Sequence, residues 1–302
     1  QNIMPEPIII GTVALDFIET PFGKVENALG GSACYASIAA SFFSKPGIMS
    51  IIGKDFPNEH IEFLKSRQIN IDGITTGEKT FKWQGFYEFD MNEAKTLKTE
   101  LNSLESYSVA VPESYKDAKY VFLANIDPEQ QLKVINTLNN PELIVMDTMN
   151  FWIDIKKEQL LETIKKAHIL ILNDGEARQL FGTPNLVKAA RMALKLVSKA
   201  VIIKKGEHGA LLFTDSKHFN APGYPLENIK DPTGCGDCFG GAFTGFLTKT
   251  NDVSEENMRK AVIYGSVVAS LNAEGFSIEN LKKINIKDIE KRYNEFKELR
   301  DF

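Results

Sequence analysis

The chain has little sulfur and imidazole chemistry to offer. Its three cysteines, Cys34, Cys235 and Cys238, are an odd set. One Cys-x-x-Cys spacing has no second cysteine pair or histidine cluster to complete a zinc site, so small residues filling a tight loop and helix are the simpler account. None of the four histidines has a partner at metal-ligand spacing. No apolar run is long enough to span a bilayer, and the first residues carry no basic segment followed by an apolar stretch; cytoplasmic residence is the default expectation. Charge of one sign is also scarce. Thirty-five Lys and Arg against 40 Asp and Glu give a net charge of −5, with no basic run. That balance argues against a nucleic-acid partner, while an anionic small substrate stays open because local charge governs a site. Repeats, low-complexity segments and a linker are absent as well. What is present is an ordinary globular composition, 43% hydrophobic and 25% charged over 302 residues, sufficient for a substantial α/β core.

Short apolar runs punctuate the chain: Ile8–Ile10, Gly47–Ile52, Tyr120–Ala124, Leu143–Met146, Ile169–Leu172 and Ala200–Ile203. Between several of them lie amphipathic patterns, at 58–67, 129–138, 157–166, 176–180 and 186–197. Continuous apolar strands alternating with such helices predict a mainly parallel sheet covered on both faces. A further strand is expected at 210–213, and helices at 236–247, 254–271 and 288–299. The stretch 79–108 departs from this order. Phe81, Trp83, Phe86, Tyr87 and Phe89 recur in strand fashion with no intervening helix. Together with 12–25 it predicts a small antiparallel flap, whose aromatics serve a ligand, a partner or simple packing on the main body.

Residues 231–241, Asp-Pro-Thr-Gly-Cys-Gly-Asp-Cys-Phe-Gly-Gly, are the most informative. A glycine-bearing turn entering an apolar helix exposes backbone N–H groups and the positive end of the helix dipole, a ready anion site. Gly234 and Gly236 let the backbone approach the anion closely. Asp237 beside that anion reads as a base rather than a binder, which makes the loop a phosphoryl-transfer site.

Other polar residues follow strands and so belong to the ligand-binding edge of an open α/β sheet: Asp16, Asp147 and Asn173. Asn173 with Glu176 has capping-box spacing; the functional alternative has Glu176 reaching a hydrated Mg²⁺. Gly30-Gly31 before an Ala-rich helix permits either close helix packing or close approach of a substrate hydroxyl. Lys204, in the strand-end turn Lys204–Gly209, is either solvated or aimed at a nucleotide phosphate.

With these residues in place, the chain resembles the ribokinase-like PfkB carbohydrate kinases over essentially its full length. Asp231–Asp237 is similar to that family's C-terminal motif, Gly30-Gly31 to its N-terminal glycine pair, Asn173-x-x-Glu176 to its magnesium and phosphate motif, and Lys204-x-Gly206-x-x-Gly209 to its nucleotide-contacting turn. The resemblance implies a single Rossmann-like kinase domain over 1–302 with a small β lid at about 12–25 and 79–108. It implies transfer of the ATP γ-phosphoryl to an alcohol, commonly the hydroxymethyl of a sugar or nucleoside. By matching positions, Asp237 is the base, and the N–H groups of Gly234, Cys235 and Gly236 stabilise the transferred group. Asp16, Gly30 and Gly31 meet the acceptor, and Asn173, Lys204, Gly206 and Gly209 meet the nucleotide. Ala269, Asn272 and Gly275 enclose the adenine. Glu176 reaches Mg²⁺ through water, and Asp231 with neighbouring backbone matches a monovalent-cation (K⁺) site.

Two departures from the family pattern matter. Tyr35 stands where many relatives place an acceptor-reading Asn, so the acceptor's identity does not transfer. Cys235 replaces the usual Ala and preserves the backbone donors. Trp83 and Tyr87 are expected to contact the acceptor or a second copy of the chain pairing through the lid. The alternatives are a non-catalytic nucleotide- or sugar-binding regulator and a kinase of a vitamin-like alcohol on the same fold.

Overall fold

Thirteen strands account for most of the expected pattern in a computed structural model that describes residues 3–302. They are β1 (Ile8–Ile10), β2 (Ala14–Thr20), β3 (Gly23–Gly30), β4 (Gly47–Gly53), β5 (Asn70–Gly77), β6 (Phe81–Tyr87), β7 (Ala94–Glu100), β8 (Tyr120–Leu123), β9 (Leu143–Met146), β10 (Ile169–Asn173), β11 (Ala200–Lys204), β12 (Ala210–Phe213) and β13 (His218–Ala221). Nine form the main sheet in the order β13-β12-β11-β10-β9-β8-β1-β4-β5, and β3-β2-β6-β7 form the second. From β11 through β5 the main-sheet neighbours run parallel; β12 and β13 join antiparallel.

Alternation along the parallel strands divides the core into two layers. Ile9, Phe122, Val145, Ile171 and Ile202 pack with the helices Ser32–Ser41, Cys235–Thr250 and Glu255–Ala273. Ile8, Ile10, Ile144, Leu170 and Ile203 pack on the opposite layer, against helices Pro128–Thr137, Lys157–Ile164, Asp174–Phe181 and Leu186–Leu194. Because both faces are covered, β1 and β9 are apolar throughout and β10 and β11 are so up to their last residue, and each fully buried Ile or Phe contributes on the order of 2–3 kcal/mol. Among the described residues, no helix is long and apolar enough to cross a membrane.

The second sheet is the expected lid with two corrections. Its β3 continues to Gly30, beyond the expected limit at 25, and 102–106 is a 3₁₀ turn tied to the strand entry by Asn102 Nδ2–Thr80 O at 2.9 Å. It is also not purely antiparallel, since β2 and β6 run parallel from Ala14↔Phe81 to Glu19↔Phe86. The reason is the route. After β3 the chain passes through the main sheet as β4 and β5 and re-enters the lid in the direction of β2, as parallel pairing requires of a long crossover.

Two helices fix the position of the glycine-rich loop. A Cβ at Gly241 would lie 2.0 Å from the Ala36 carbonyl oxygen, and one at Gly245 would lie 2.9 Å from Ala40 Cα. Helix Cys235–Thr250 therefore meets helix Ser32–Ser41 backbone to backbone, and Cys238 Sγ reaches Tyr35 O at 3.8 Å.

Candidate active site

The carboxyl ends of β1, β8, β9, β10 and β11 lie on one edge because these strands are parallel, and Asp147, Asn173 and Lys204 sit there together. Opposite them stands the loop 231–237. Asp231 shapes its entry: Oδ1 accepts Thr233 N–H at 2.9 Å and Oδ2 accepts Ser277 N–H at 2.8 Å. Gly234 follows at φ 78°, a left-handed conformation that favours glycine, and acts as N-cap without any side-chain cap. The Cys238 N–H closes the first helical turn on Gly234 O at 2.8 Å. The Cys235 N–H turns back to Pro232 O at 3.2 Å. Among the described residues, this leaves the N–H groups of Gly234, Gly236 and Asp237 for a ligand. The donor trio is thus shifted from the expected Gly234, Cys235 and Gly236 by the local turn that satisfies Cys235.

Charge is concentrated beside these donors. Burial pushes the Asp237 carboxyl up to about 7, Asp147 adds to the rise, and Lys204 works against it. Burial, then the charge of Asp147, likewise raises Glu176 to about 7. Asp147 is itself raised by burial, against the pull of Lys204 and the Thr148 N–H at 2.8 Å. Among the described residues, the cation set among them is Lys204, whose Nζ lies 3.5 Å from Asp147 Oδ2. Burial opposes its charge, but Asp147, Glu176 and Asp237 outweigh that, and the ammonium is held above its ordinary range. Lys204 Nζ would be 2.8 Å from a Cβ at Gly236, so the ammonium stands at the mouth of the loop rather than in solvent. Depressions elsewhere, of about 250 Å³ beside Glu26, Glu59 and Lys282 and about 130 Å³ beside Phe17, Gln84 and Lys98, contain none of the loop residues. Charge and free donors, rather than concavity, mark the site.

Asp16 on β2 approaches from the lid. It is 3% exposed, and burial followed by the charges of Asp231 and Asp237 raises its carboxyl. Gly30 is obligatory opposite it, because a Cβ there would lie 2.0 Å from Asp16 Oδ2. Gly31, at φ 93°, caps the next helix, and a Cβ would strike Thr12 O at 2.4 Å. Both glycines therefore serve close approach at the Asp16 end. Trp83 pairs with Asp16 across the parallel register and so shares its face of the lid. Its ring covers Gly85 and its Nε1 donates to Thr96 Oγ1 at 3.1 Å, which holds the indole flat along the strand.

Tyr35 occupies a different place from the expected acceptor contact. It is 1% exposed and its ring lies beneath Gly234, where a Cβ would be 2.3 Å from the ring carbons. The phenol, longer than an amide, reaches under the loop and supports it from behind. Asn272 is also inward: its Nδ2 donates to Thr233 O at 2.9 Å and approaches Cys235 Sγ at 3.6 Å. Ala269 O accepts the Cys235 thiol at 3.3 Å, and Gly275 N–H closes on Asn272 O at 3.2 Å. Ala269 and Asn272 hold the loop, Gly275 closes the turn behind Asn272, and the Asn272 side chain presents no surface for an adenine.

On the nucleotide side, Asn173 and Glu176 form a complete capping box, with Asn173 Oδ1 accepting Glu176 N–H at 2.7 Å and Glu176 Oε2 accepting Asn173 N–H at 2.9 Å. One Glu176 oxygen is spent on the cap. Gly206 and Gly209 adopt φ 56° and 93° in the turn after β11, and a Cβ at Gly209 would meet Ala221 O at 2.0 Å.

Two contributors escaped the sequence reading. Asp147 appeared there only as one polar residue after a strand; its place directly after β9, the sheet neighbour of β10, was the usable signal. Thr233 was not singled out, yet its hydroxyl donates to the Tyr87 hydroxyl at 3.1 Å and ties the lid to the loop. Tyr87→Phe is expected to lower kcat by about fivefold to tenfold, the scale of one lost hydrogen bond of about 1 kcal/mol. Nucleotide affinity should change less; equal kcat in the two proteins would refute the tie.

Residues 8–282 match the model described as pfkB family carbohydrate kinase. The chain belongs to the PfkB family. A "Cytidine kinase" of Thermococcus kodakarensis is 31% identical over 258 residues, spanning 83% of this chain and 92% of that protein. The crystal structure of Methanocaldococcus jannaschii nucleoside kinase superposes with a TM-score of 0.76 at 22% identity, covering 95% of this chain and 99% of that one. Aminoimidazole riboside kinase from Salmonella enterica, solved with aminoimidazole riboside and an ATP analogue, gives 0.74 at 15% identity, covering 95% and 99%. These superpositions place the two-sheet architecture among PfkB-family folds, and membership makes the chain an enzyme of the carbohydrate- and nucleoside-kinase class.

Proposed function

We propose that this PfkB-family kinase transfers the γ-phosphoryl group of ATP to the hydroxymethyl group of a nucleoside, with residues of the lid and main sheet acting as one catalytic unit. The observation that carries the reading is Asp237: a carboxyl poised at about 7 in the first turn of an uncapped helix, beside free backbone donors. A general base works best with a pKa near the operating pH. Asp237 accepts the hydroxyl proton while the N–H groups of Gly234, Gly236 and Asp237, with the Lys204 ammonium, face the charge of the transferred group. Such preorganised donors require no reorganisation during the step. Asp16 orients the acceptor from the lid.

The crowding of Asp147, Glu176 and Asp237, each raised by burial and two of them further raised by the charge of Asp147, fits a divalent cation nearby. No cluster of three or more metal-binding side chains exists among the described residues. Mg²⁺ would therefore be held mostly by nucleotide phosphates and waters, with Glu176 and Asp147 in its outer shell. When bound it supplies neutralising charge to the phosphates.

Two features favour a nucleoside over a free sugar. The flat indole of Trp83 shares the lid face of Asp16, a surface on which a base stacks, and the 31%-identical relative is named a cytidine kinase. ATP consumption with cytidine, uridine, adenosine and inosine, compared with ribose and fructose, tests this. We expect turnover with at least one nucleoside to exceed that with either free sugar by tenfold or more, about 1.4 kcal/mol of transition-state binding. Faster turnover of a free sugar overturns the acceptor class. Binding without turnover of any acceptor restores the regulator reading, which nothing in the intact base and loop supports.

A further inference from the structure

The resemblance carries an expectation of K⁺ beside Asp231, and the oxygens at that position do not suit it. Asp231 Oδ1 and Oδ2 accept the N–H groups of Thr233 and Ser277 at 2.9 and 2.8 Å. Ala273 O accepts the N–H groups of Lys230 and Asp231 at 2.9 and 3.3 Å. Thr233 O accepts the Asn272 side-chain amide at 2.9 Å. A potassium site works by replacing the ion's hydration shell with several oxygens. Here the neighbouring oxygens are already met by N–H donors, and an amide –NH₂ is directed at one of them. The amide cannot be turned around without placing Asn272 Oδ1 against the Thr233 carbonyl oxygen, acceptor against acceptor. Asn272 is fully buried, and its Oδ1 is the one oxygen of the side chain left without a partner. A single neutral oxygen does not make a cation site.

We propose that the Asn272 amide takes the place of a monovalent cation: it ties the Thr233 carbonyl and the Cys235 sulfur under the loop, and turnover needs no K⁺. Asn272 is then a positioning residue. It acts through Thr233, the residue whose N–H is bound to Asp231 and whose hydroxyl meets Tyr87. The kinetic part of the inference rests on the kinase reading, whereas the binding part stands without it.

The test uses the full chain in KCl, NaCl and tetramethylammonium chloride at equal ionic strength. For the ligand-free protein, the thermal midpoint is expected to be the same in all three salts, since a ligand of the native state raises it. A saturable rise in KCl alone overturns the proposal whether or not the protein is a kinase. With an acceptor that is turned over, rates in KCl and tetramethylammonium chloride should agree within about twofold, less than the effect of one hydrogen bond; saturable activation of fivefold or more by K⁺ overturns it. Asn272→Asp replaces the donor by a carboxylate facing Thr233 O. Turnover in tetramethylammonium chloride should fall by about tenfold or more, the scale of an unpaired buried group, and K⁺ should now restore part of it and raise the midpoint. Asn272→Leu should lose kcat with little change in acceptor KM and show no K⁺ rescue. Wild-type kcat in either variant without K⁺ would refute the positioning role.

Discussion

Asp237→Asn is expected to reduce kcat by about 10²- to 10⁴-fold, the contribution of a positioned general base, while nucleotide binding and the fold persist. The amide is nearly isosteric with the carboxyl and removes only the proton acceptor. The pH dependence makes the test specific. The Asp237 carboxyl is raised from an ordinary 3.8 to about 7, so kcat/KM of the native enzyme should climb as pH passes through about 7. The residual rate of the variant should lack that limb. Stability runs the other way. A carboxyl whose folded pKa is raised contributes stability that is fully present below the unfolded pKa and is lost as pH rises through the folded pKa. Glu176, raised from 4.5 to about 7, adds in the same sense. The ligand-free protein should therefore lose stability between about pH 4 and pH 8, and Asp237→Asn should lose less. Chemical denaturation at pH 5 and pH 8 measures this. A variant that turns over within tenfold of wild type would remove Asp237 from the base role.

Gly234→Ala should be nearly as damaging for a different reason. A non-glycine residue at φ 78° costs about 1–2 kcal/mol, and the added Cβ would lie 2.3 Å from Tyr35 ring carbons. Tyr35 is fully enclosed by the core and has no room to retreat. The loop must shift, so its N–H groups lose their aim. Misplacing one such donor costs about 10²- to 10³-fold in kcat. Steady-state kinetics should show this loss in kcat more than in acceptor KM. Pairing it with Tyr35→Leu separates the two causes: the double variant should regain part of the rate if the ring is the obstacle. No recovery would leave backbone conformation as the whole effect.

The main sheet was legible because its strands are buried on both faces and appear as uninterrupted apolar runs; β9 and β12 fall at the expected residues. β5 was not, since Asp72, Thr75 and Thr76 interrupt its apolar residues at the exposed edge of the sheet. β13 has four residues, two of them exposed. The lid's alternating aromatics were visible, but its parallel pairing was not, because strand direction depends on the route between β3 and β6. In the candidate site, the glycine turn that runs through Gly234 and Gly236 into a helix bearing Asp237 was readable from local order alone. The positions of Tyr35 and Asn272 did not. A phenol in place of an amide moved Tyr35 from an acceptor pocket to the underside of the loop, and Asn272 finds Thr233 across 39 residues of chain. Long-range pairings of this kind leave no local periodicity.

The backbone contact between Gly241 and Ala36 also dictates when the enzyme acquires its chemistry. Helix Cys235–Thr250 can seat only after the chain has closed a loop such as that joining Tyr35 to Cys238, 203 residues apart. Closures of that length form slowly, and during synthesis the N-terminal segments emerge first. Asp16, Asp147, Glu176 and Lys204 all precede the glycine-rich loop in the chain, whereas Asp237 and the free N–H groups arrive with helix Cys235–Thr250, so the candidate site is complete only once that helix has docked on helix Ser32–Ser41.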